Sequence, residues 1–235
     1  MRQRTPLPVI VVSLLVLGAV LTLVRGQGHM QWLELAAYDL LTASVETDDS
    51  LPPAVSLLLV SESDIQELGN WPFTDAQLHR ILTDVLALDP AVVGLDIYRD
   101  LAVPPGHDEL QLLLQTDPRI LVIEKFPGTN SPGVPPPPVL RNTDRVGFSD
   151  LLADPGGVVR RSLLFLSHGG RTGYAFSLQL ALAYLQAAGI HPAADEANPS
   201  HMRLGTVSLA PLEGDEGGYV DADAGGYQIM LRYRD

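Results

Sequence analysis

The sequence predicts an α/β protein: a mixed sheet with a parallel centre flanked by helices, preceded by one N-terminal transmembrane helix. Three observations carry this prediction. The chain opens on an uncharged apolar run. Continuous apolar stretches such as Val55–Val60, Ala91–Tyr98 and Ile120–Glu124 suit strands buried on both faces. Segments with a helical spacing of apolar residues lie between them.

The opening run, Val9 to Val24, is broken only by Ser13, Gly18, Ala19 and Thr22. Counted from Thr5 it reaches the ~20 residues that a membrane helix needs, and the flanking arginines can extend to the interfaces. A buried core helix would carry a polar face. A cleaved signal peptide would need an A-x-A-like site, and Val24-Arg25-Gly26-Gln27-Gly28 offers none. The run therefore reads as a retained anchor. Arg2 and Arg4 precede it and Arg25 alone follows closely, so the positive-inside bias leaves the N-terminus in the cytoplasm and residue 30 onward outside. This divides the chain into residues 1–28, a stub and membrane helix, and residues 29–235, an extracytoplasmic domain.

His29 to Thr42 reads as a helix with Met30, Leu33, Ala37, Leu40 and Leu41 close to one face, and Trp32 reads equally as a headgroup-level residue or a core tryptophan. Pro52-Pro53 marks a turn into Val55–Val60, expected to be the first buried strand. Ser63-Asp64-Ile65-Gln66 has capping-box spacing for a short helix ended by Gly69, and Thr74-Asp75-Ala76-Gln77 repeats the signature. Leu78, Ile81, Leu82, Val85 and Leu88 then form an apolar stripe leading to the strand Ala91–Tyr98, a strand–helix–strand crossover. A helix over Asp108–Thr116 leads to the strand Ile120–Glu124. Phe126–Leu140, with Pro135 to Pro138 in succession, predicts an extended, exposed polyproline-type loop. Asp154-Pro155-Gly156-Gly157 turns into a strand over Val158–Ser167, which meets a turn at Gly169-Gly170. A helix over Phe176–Ala188 is closed by Gly189, and short strands follow at Thr206–Leu212 and Gln228–Arg232.

The composition limits the function. A hydrophobic fraction of 46% and a charged fraction of 18% support a folded core. Beyond residue 25 there are 12 basic against 28 acidic side chains, and Lys125 is the only lysine. Such a surface repels nucleic acid, which is not an expected partner. The chain has no cysteine, so disulfides, thiolate zinc sites and cysteine catalysis are excluded.

The chain carries no Walker, dinucleotide-binding or H-E-x-x-H pattern, and Gly147-Phe148-Ser149-Asp150-Leu151 lacks the second glycine of a nucleophile elbow. No cofactor, metal site or catalytic residue is assigned. Asp221-Ala222-Asp223-Ala224-Gly225-Gly226 begins like a calcium loop, but Arg232 stands where a bidentate glutamate is needed. Asp64 and Asp96 are expected at the mouth of the first strand and inside the second, where two carboxylates can form a pair or a polar rim. The simpler roles are a helix cap for Asp64 and a bond to Arg99 or to a backbone amide for Asp96. Arg160 and Arg161, read as strand neighbours, point to opposite faces. A ligand site in a parallel sheet lies at the carboxyl ends of the strands, so Asp64, Trp71, Asp96, Tyr98, Arg99 and Asp100 are the candidate ligand-binding residues.

The motif order resembles one family. Leu35-Ala36-Ala37-Tyr38-Asp39-Leu40, Val60 to Asp64 and Gly69-Asn70-Trp71-Pro72-Phe73 are followed by Val93-Gly94-Leu95-Asp96-Ile97-Tyr98, Val146 to Asp150, Asp154 to Arg161 and Gly225-Gly226-Tyr227-Gln228. This series is similar to CHASE2 extracytoplasmic sensor domains, and the Gly-Leu-Asp-Ile-Tyr-Arg-Asp wording resembles their cyanobacterial branch. The resemblance implies a sensor in the inner membrane of a bacterium, set between an N-terminal membrane helix and further helices, usually three. It also implies a cytoplasmic output such as a nucleotide cyclase or kinase. The sequence given stops at Asp235, before any second apolar segment. The expected partners are the membrane, an unknown small-molecule or protein stimulus, and a second copy in a homodimer. A membrane-tethered hydrolase using Asp64 and Asp96 and a structural dimerisation module are the competing functions. An extracytoplasmic reporter enzyme fused after residue 30 is expected to be active, and activity of cytoplasmic reporters alone at that position overturns the orientation.

Overall fold

The computed structural model describes residues 7–45, 55–128, 131–168, 170–231 and 233. Arg2, Arg4, the Pro52-Pro53 turn, Gly169 and Arg232 lie outside these residues. The chain forms two compact units, residues 1–51 with 212–225 and 231–235, and residues 52–211 with 226–230.

The first unit contains α1 (Leu7–Gly26) and α2 (Gln31–Ala43). Among the described residues, α1 is the one helix long and apolar enough to cross a membrane, and its span is not buried inside the protein. That exposure would be costly for aliphatic side chains in water and suits them in lipid. The turn to α2 uses Gly28 at φ +76°. Residues from late in the chain return to this corner: Gln31 Oε1 accepts from the Val220 amide at 2.9 Å, and Tyr38 donates to the Leu231 carbonyl at 3.3 Å. Arg25 reaches Glu34 at 2.6 Å. The side of α2 buried in the unit is that of Leu35, while Leu40 and Leu41 of the expected apolar face are exposed.

In the second unit, the centre is a parallel sheet of β1 (Val93–Leu95), β2 (Ile120–Glu124) and β3 (Val146–Phe148), in the order β1-β2-β3. Val93 pairs with Ile120 and Val122 with Val146. Side chains alternate across a strand, so each face of this sheet needs its own cover. Leu78, Leu82 and Leu86 of α4 (Asp75–Leu86) and Leu110 and Leu114 of α5 (His107–Thr116) pack with Leu95, Ile120, Val122 and Val146. α6 (Phe176–Gln186) takes the other face, where glycines admit it: a Cβ at Gly94 would lie 2.8 Å from the Phe176 ring, and one at Gly147 2.4 Å from Phe176 Cα. The β1–β2 crossover runs through α5, whereas β2 and β3 are joined by the proline-rich loop and a 3-10 turn at Pro138–Leu140.

Two antiparallel sheets complete the unit. β4 (Arg161–His168) lies between β5 (Arg171–Tyr174) and β9 (Tyr227–Met230), and β6 (Pro192–Ala194), β7 (Met202–Leu204) and β8 (Val207–Leu209) form a meander. A bridge from Phe148 to Ala175 extends β3 towards β5. The Tyr227 hydroxyl ties β9 to the meander, accepting from the Met202 amide and donating to the Leu209 carbonyl, both at 2.6 Å.

Several expectations are corrected. Val55–Val60 pairs with no strand among the described residues, and its aliphatic side chains are exposed. An apolar run states what a segment tends to bury, not which edge it reaches. The second strand is only Val93–Leu95, so Asp96 follows it rather than lying inside it. The box that starts α3 (Glu62–Leu68) is Ser61 with Asp64, two residues before the expected Ser63 start, while the Thr74–Gln77 box of α4 forms as expected. Leu88 lies beyond the end of α4 and is 83% exposed, so the stripe ends at Leu86. The proline loop is not simply exposed. Pro136, Pro137 and Leu140 are buried, and Leu140 joins the core beside α5.

Replacing Gly147 by alanine is expected to destabilise the fold by about 1–3 kcal/mol, because its Cβ has only backbone to displace. The same change at Gly128, where nothing lies within 4 Å, is expected to stay within about 0.5 kcal/mol. Urea unfolding of the detergent-solubilised chain measures both.

Candidate functional site

The carboxyl ends of β1, β2 and β3 release Asp96, Lys125 and Ser149 on one edge of the parallel sheet. Side-chain bonds hold this edge. Tyr98 Oη and Ser149 Oγ are 2.8 Å apart, bridging the loops after β1 and β3. Glu124, the last residue of β2, is 5% exposed, and its carboxylate is held by the Arg171 guanidinium from β5. A buried carboxylate needs such a partner to remain charged. The Asp150 carboxylate accepts from the Phe126 amide at 3.1 Å and fixes the start of the proline loop.

A second polar centre lies at the start of α4. Asp75, the first helical residue after the Thr74 cap, is 1% exposed. Its Oδ2 accepts from the Val103 amide at 3.1 Å and lies 2.8 Å from His107 Nδ1. Its Oδ1 faces Arg99 Nε at 3.8 Å, an ion pair without a direct hydrogen bond. Arg99 donates from Nη2 to the Phe73 carbonyl at 2.6 Å. Burial pushes the Arg99 guanidinium below its ordinary value, and Asp75 works against that shift. The Asp75 and Ala76 amides donate to the Val103 and Pro105 carbonyls, both at 2.7 Å. Gly106, at φ +94°, sits where a Cβ would be 2.5 Å from the Ala76 backbone. The loop from Arg99 to His107 is thus sewn onto the first turn of α4.

The six sequence-predicted residues fall into three groups. Asp64 is a cap: its Oδ2 accepts from the Ser61 amide at 2.7 Å and the Ser61 hydroxyl at 2.5 Å. The Ser61 hydroxyl and amide bonds hold the carboxyl below the usual carboxylate range. Because Val55–Val60 forms no strand, the strand adjacency expected to bring Asp64 beside Asp96 is absent. Arg99 is buried and serves Asp75 and Phe73, not Asp96 as the simpler expectation had it. Asp96 and Tyr98 are exposed at the end of β1, with Asp100 half-buried beyond them. Trp71 is 51% exposed and meets the Phe73 ring edge-on at 5.1 Å. Phe73 joins these groups, since its ring carries Trp71 and its carbonyl receives Arg99.

Sequence reasoning missed Glu124, Arg171, Asp75 and His107. Glu124 closes an otherwise apolar strand, and a charge at the end of a buried run is a legible signal. The partner of Asp75 could not be read, because it stands 24 residues away behind an irregular loop. Arg160 and Arg161 also depart from expectation. Arg160 precedes β4, so strand alternation does not apply to it, and both side chains reach the same buried carboxylate, Asp154, at 2.8 and 2.9 Å. Among the described residues, no group of three or more His, Asp or Glu side chains converges as a metal site.

These features define an α/β domain joined to a helix fit to anchor it in a membrane. Its buried acids Asp75, Glu124 and Asp154 each have an arginine partner, and Asp96 and Tyr98 are exposed just after β1. The chain belongs to the CHASE2 domain family, whose model matches residues 14–235. CHASE2 domains are extracytoplasmic sensory domains. Comparison with curated proteins and with solved structures gives no match.

Asp75→Asn leaves Arg99 buried without a counter-charge. Breaking a buried pair in this way is expected to cost about 3–5 kcal/mol. Asp75→Asn combined with Arg99→Met is expected to cost less than the sum of the two single changes, measured as a double-mutant cycle by chemical unfolding.

Proposed function

We propose that this chain is the sensory input domain of a bacterial receptor in the inner membrane, with the bulk of the chain outside the cytoplasm and a nucleotide cyclase or kinase as the cytoplasmic output. The observation that carries this reading is the extent of the family match. It begins at residue 14, inside α1, and runs to residue 235, which supports reading helix and domain as parts of one module. The proposed stimulus site is the carboxyl edge of the parallel sheet, where Trp71, Asp96, Tyr98 and Asp100 offer aromatic faces and carboxylates to a small polar molecule or a protein segment. Arg99 supports this edge through its ion pair with Asp75, and Asp64 serves the α3 cap. A hydrolase using Asp64 and Asp96 would require Asp64 to leave its cap, and no observation favours that reading.

The test is a chimera in which the chain, followed by membrane helices, drives a nucleotide-cyclase reporter in bacteria. Asp96→Asn and Tyr98→Phe are expected to shift cyclase output at least threefold at unchanged membrane abundance. Trp71→Ala is expected to do the same. Output equal to that of α1 alone fused to the same reporter overturns the sensor reading.

A further inference from the structure

Val55, Leu57, Leu58, Leu59 and Val60 are 40–78% exposed, and Ser56 between them is exposed as well. Odd and even positions are equally open, so neither face of this run is buried, and a contiguous apolar surface of this kind marks an interaction site. The same unit carries the matching vacancy in its hydrogen bonding. β1 is an edge strand that pairs with β2 alone among the described residues. The Val93 amide donates to the Arg119 carbonyl at 2.8 Å. In a parallel ladder alternate residues bond to opposite sides, so the N–H and C=O of Gly94 point away from β2. Gly94 is exposed. An unpaired edge of this kind is a template for another strand.

We propose that Val55–Val60 of one copy of this chain adds as a parallel strand to the β1 edge of a second copy, and that the exchange is reciprocal. The occupant is a second copy because each chain carries both halves of the contact, an apolar donor run and a free acceptor edge. Two chains related by a twofold axis satisfy all four elements and close the assembly. A different protein would have to supply both a strand and an edge. Charge agrees with this choice. The chain carries a net charge of −13 and would repel a copy over most of its surface, yet neither Val55–Val60 nor Ala91–Leu95 contains a charged residue. The α1 anchor confines copies to one membrane, which raises their effective concentration. The inference stands apart from the sensor reading, since it requires only the apolar run, the open edge and the anchor.

Because the chain has no cysteine, introduced thiols report the pairing directly. Two differently tagged full chains, one carrying Val60→Cys and the other Asp96→Cys, are co-expressed and treated in membranes with a short bismaleimide. The proposal expects a product of twice the chain mass carrying both tags. It also expects at least a tenfold loss of that product when Leu58→Lys is added to both chains. Leu58 is exposed in the single chain, so the folded state should survive the substitution. If it does not, the mixed-cysteine product alone decides. Linkage within one chain of the Val60→Cys/Asp96→Cys double variant without linkage between tags overturns the proposal, as does the absence of any linkage. A two-tag product that persists in folded Leu58→Lys also overturns it.

Discussion

The second unit depends on one buried carboxylate. Asp75 is almost without solvent, so its charge is tolerable only if protein groups replace the water it has lost. They come from three places along one loop: the Arg99 guanidinium, the Val103 amide and the His107 ring. The residue thereby fixes the loop that leaves β1, the start of α5 and the entry of α4 against one another. Tyr98 precedes Arg99 directly, so the aromatic group at the proposed site inherits its position from this ion pair.

A similar economy recurs elsewhere in the unit. Asp154 gathers Arg160 and Arg161, and Arg161 reaches on to Gln228 at 3.1 Å, which ties the turn before β4 to β9. Glu124 gathers Arg171 across from the antiparallel sheet. Glu124 and Arg171 join β2 to β5, strands that no backbone ladder pairs, whereas Asp154 reinforces a junction that the β4–β9 ladder already makes.

Much of the local structure was legible from residues alone. The apolar N-terminal helix, the Thr74–Gln77 box, the strand Ile120–Glu124 and the apolar helix before Gly189 each depend on interactions within a few positions, and their side-chain patterns state them directly. Val55–Val60 was misread because continuous apolarity measures hydrophobic tendency and carries no information about a pairing edge. The proline loop was misread for the opposite reason: polyproline segments have no internal hydrogen bonds, so their burial depends wholly on what lies across from them, here α5. At the candidate site, the apolar run before Tyr98 places that residue just beyond a strand, as it lies beyond β1, whereas Trp71 follows α3 and no strand. The part played by Asp75 could not be read, because it looks like an ordinary acidic first-turn residue, and only the loop folded over it reveals a different role.

The two compact units are not two stretches of chain. The backbone passes between them at 51–52, 211–212, 225–226 and 230–231. A cut at any one of these points frees neither unit. Truncation after residue 211 would remove Tyr227–Met230, and with it the strand that flanks β4 and the hydroxyl that holds the meander. The helix at the start of the chain and the segment at its end are therefore covalently interleaved with the domain they bracket.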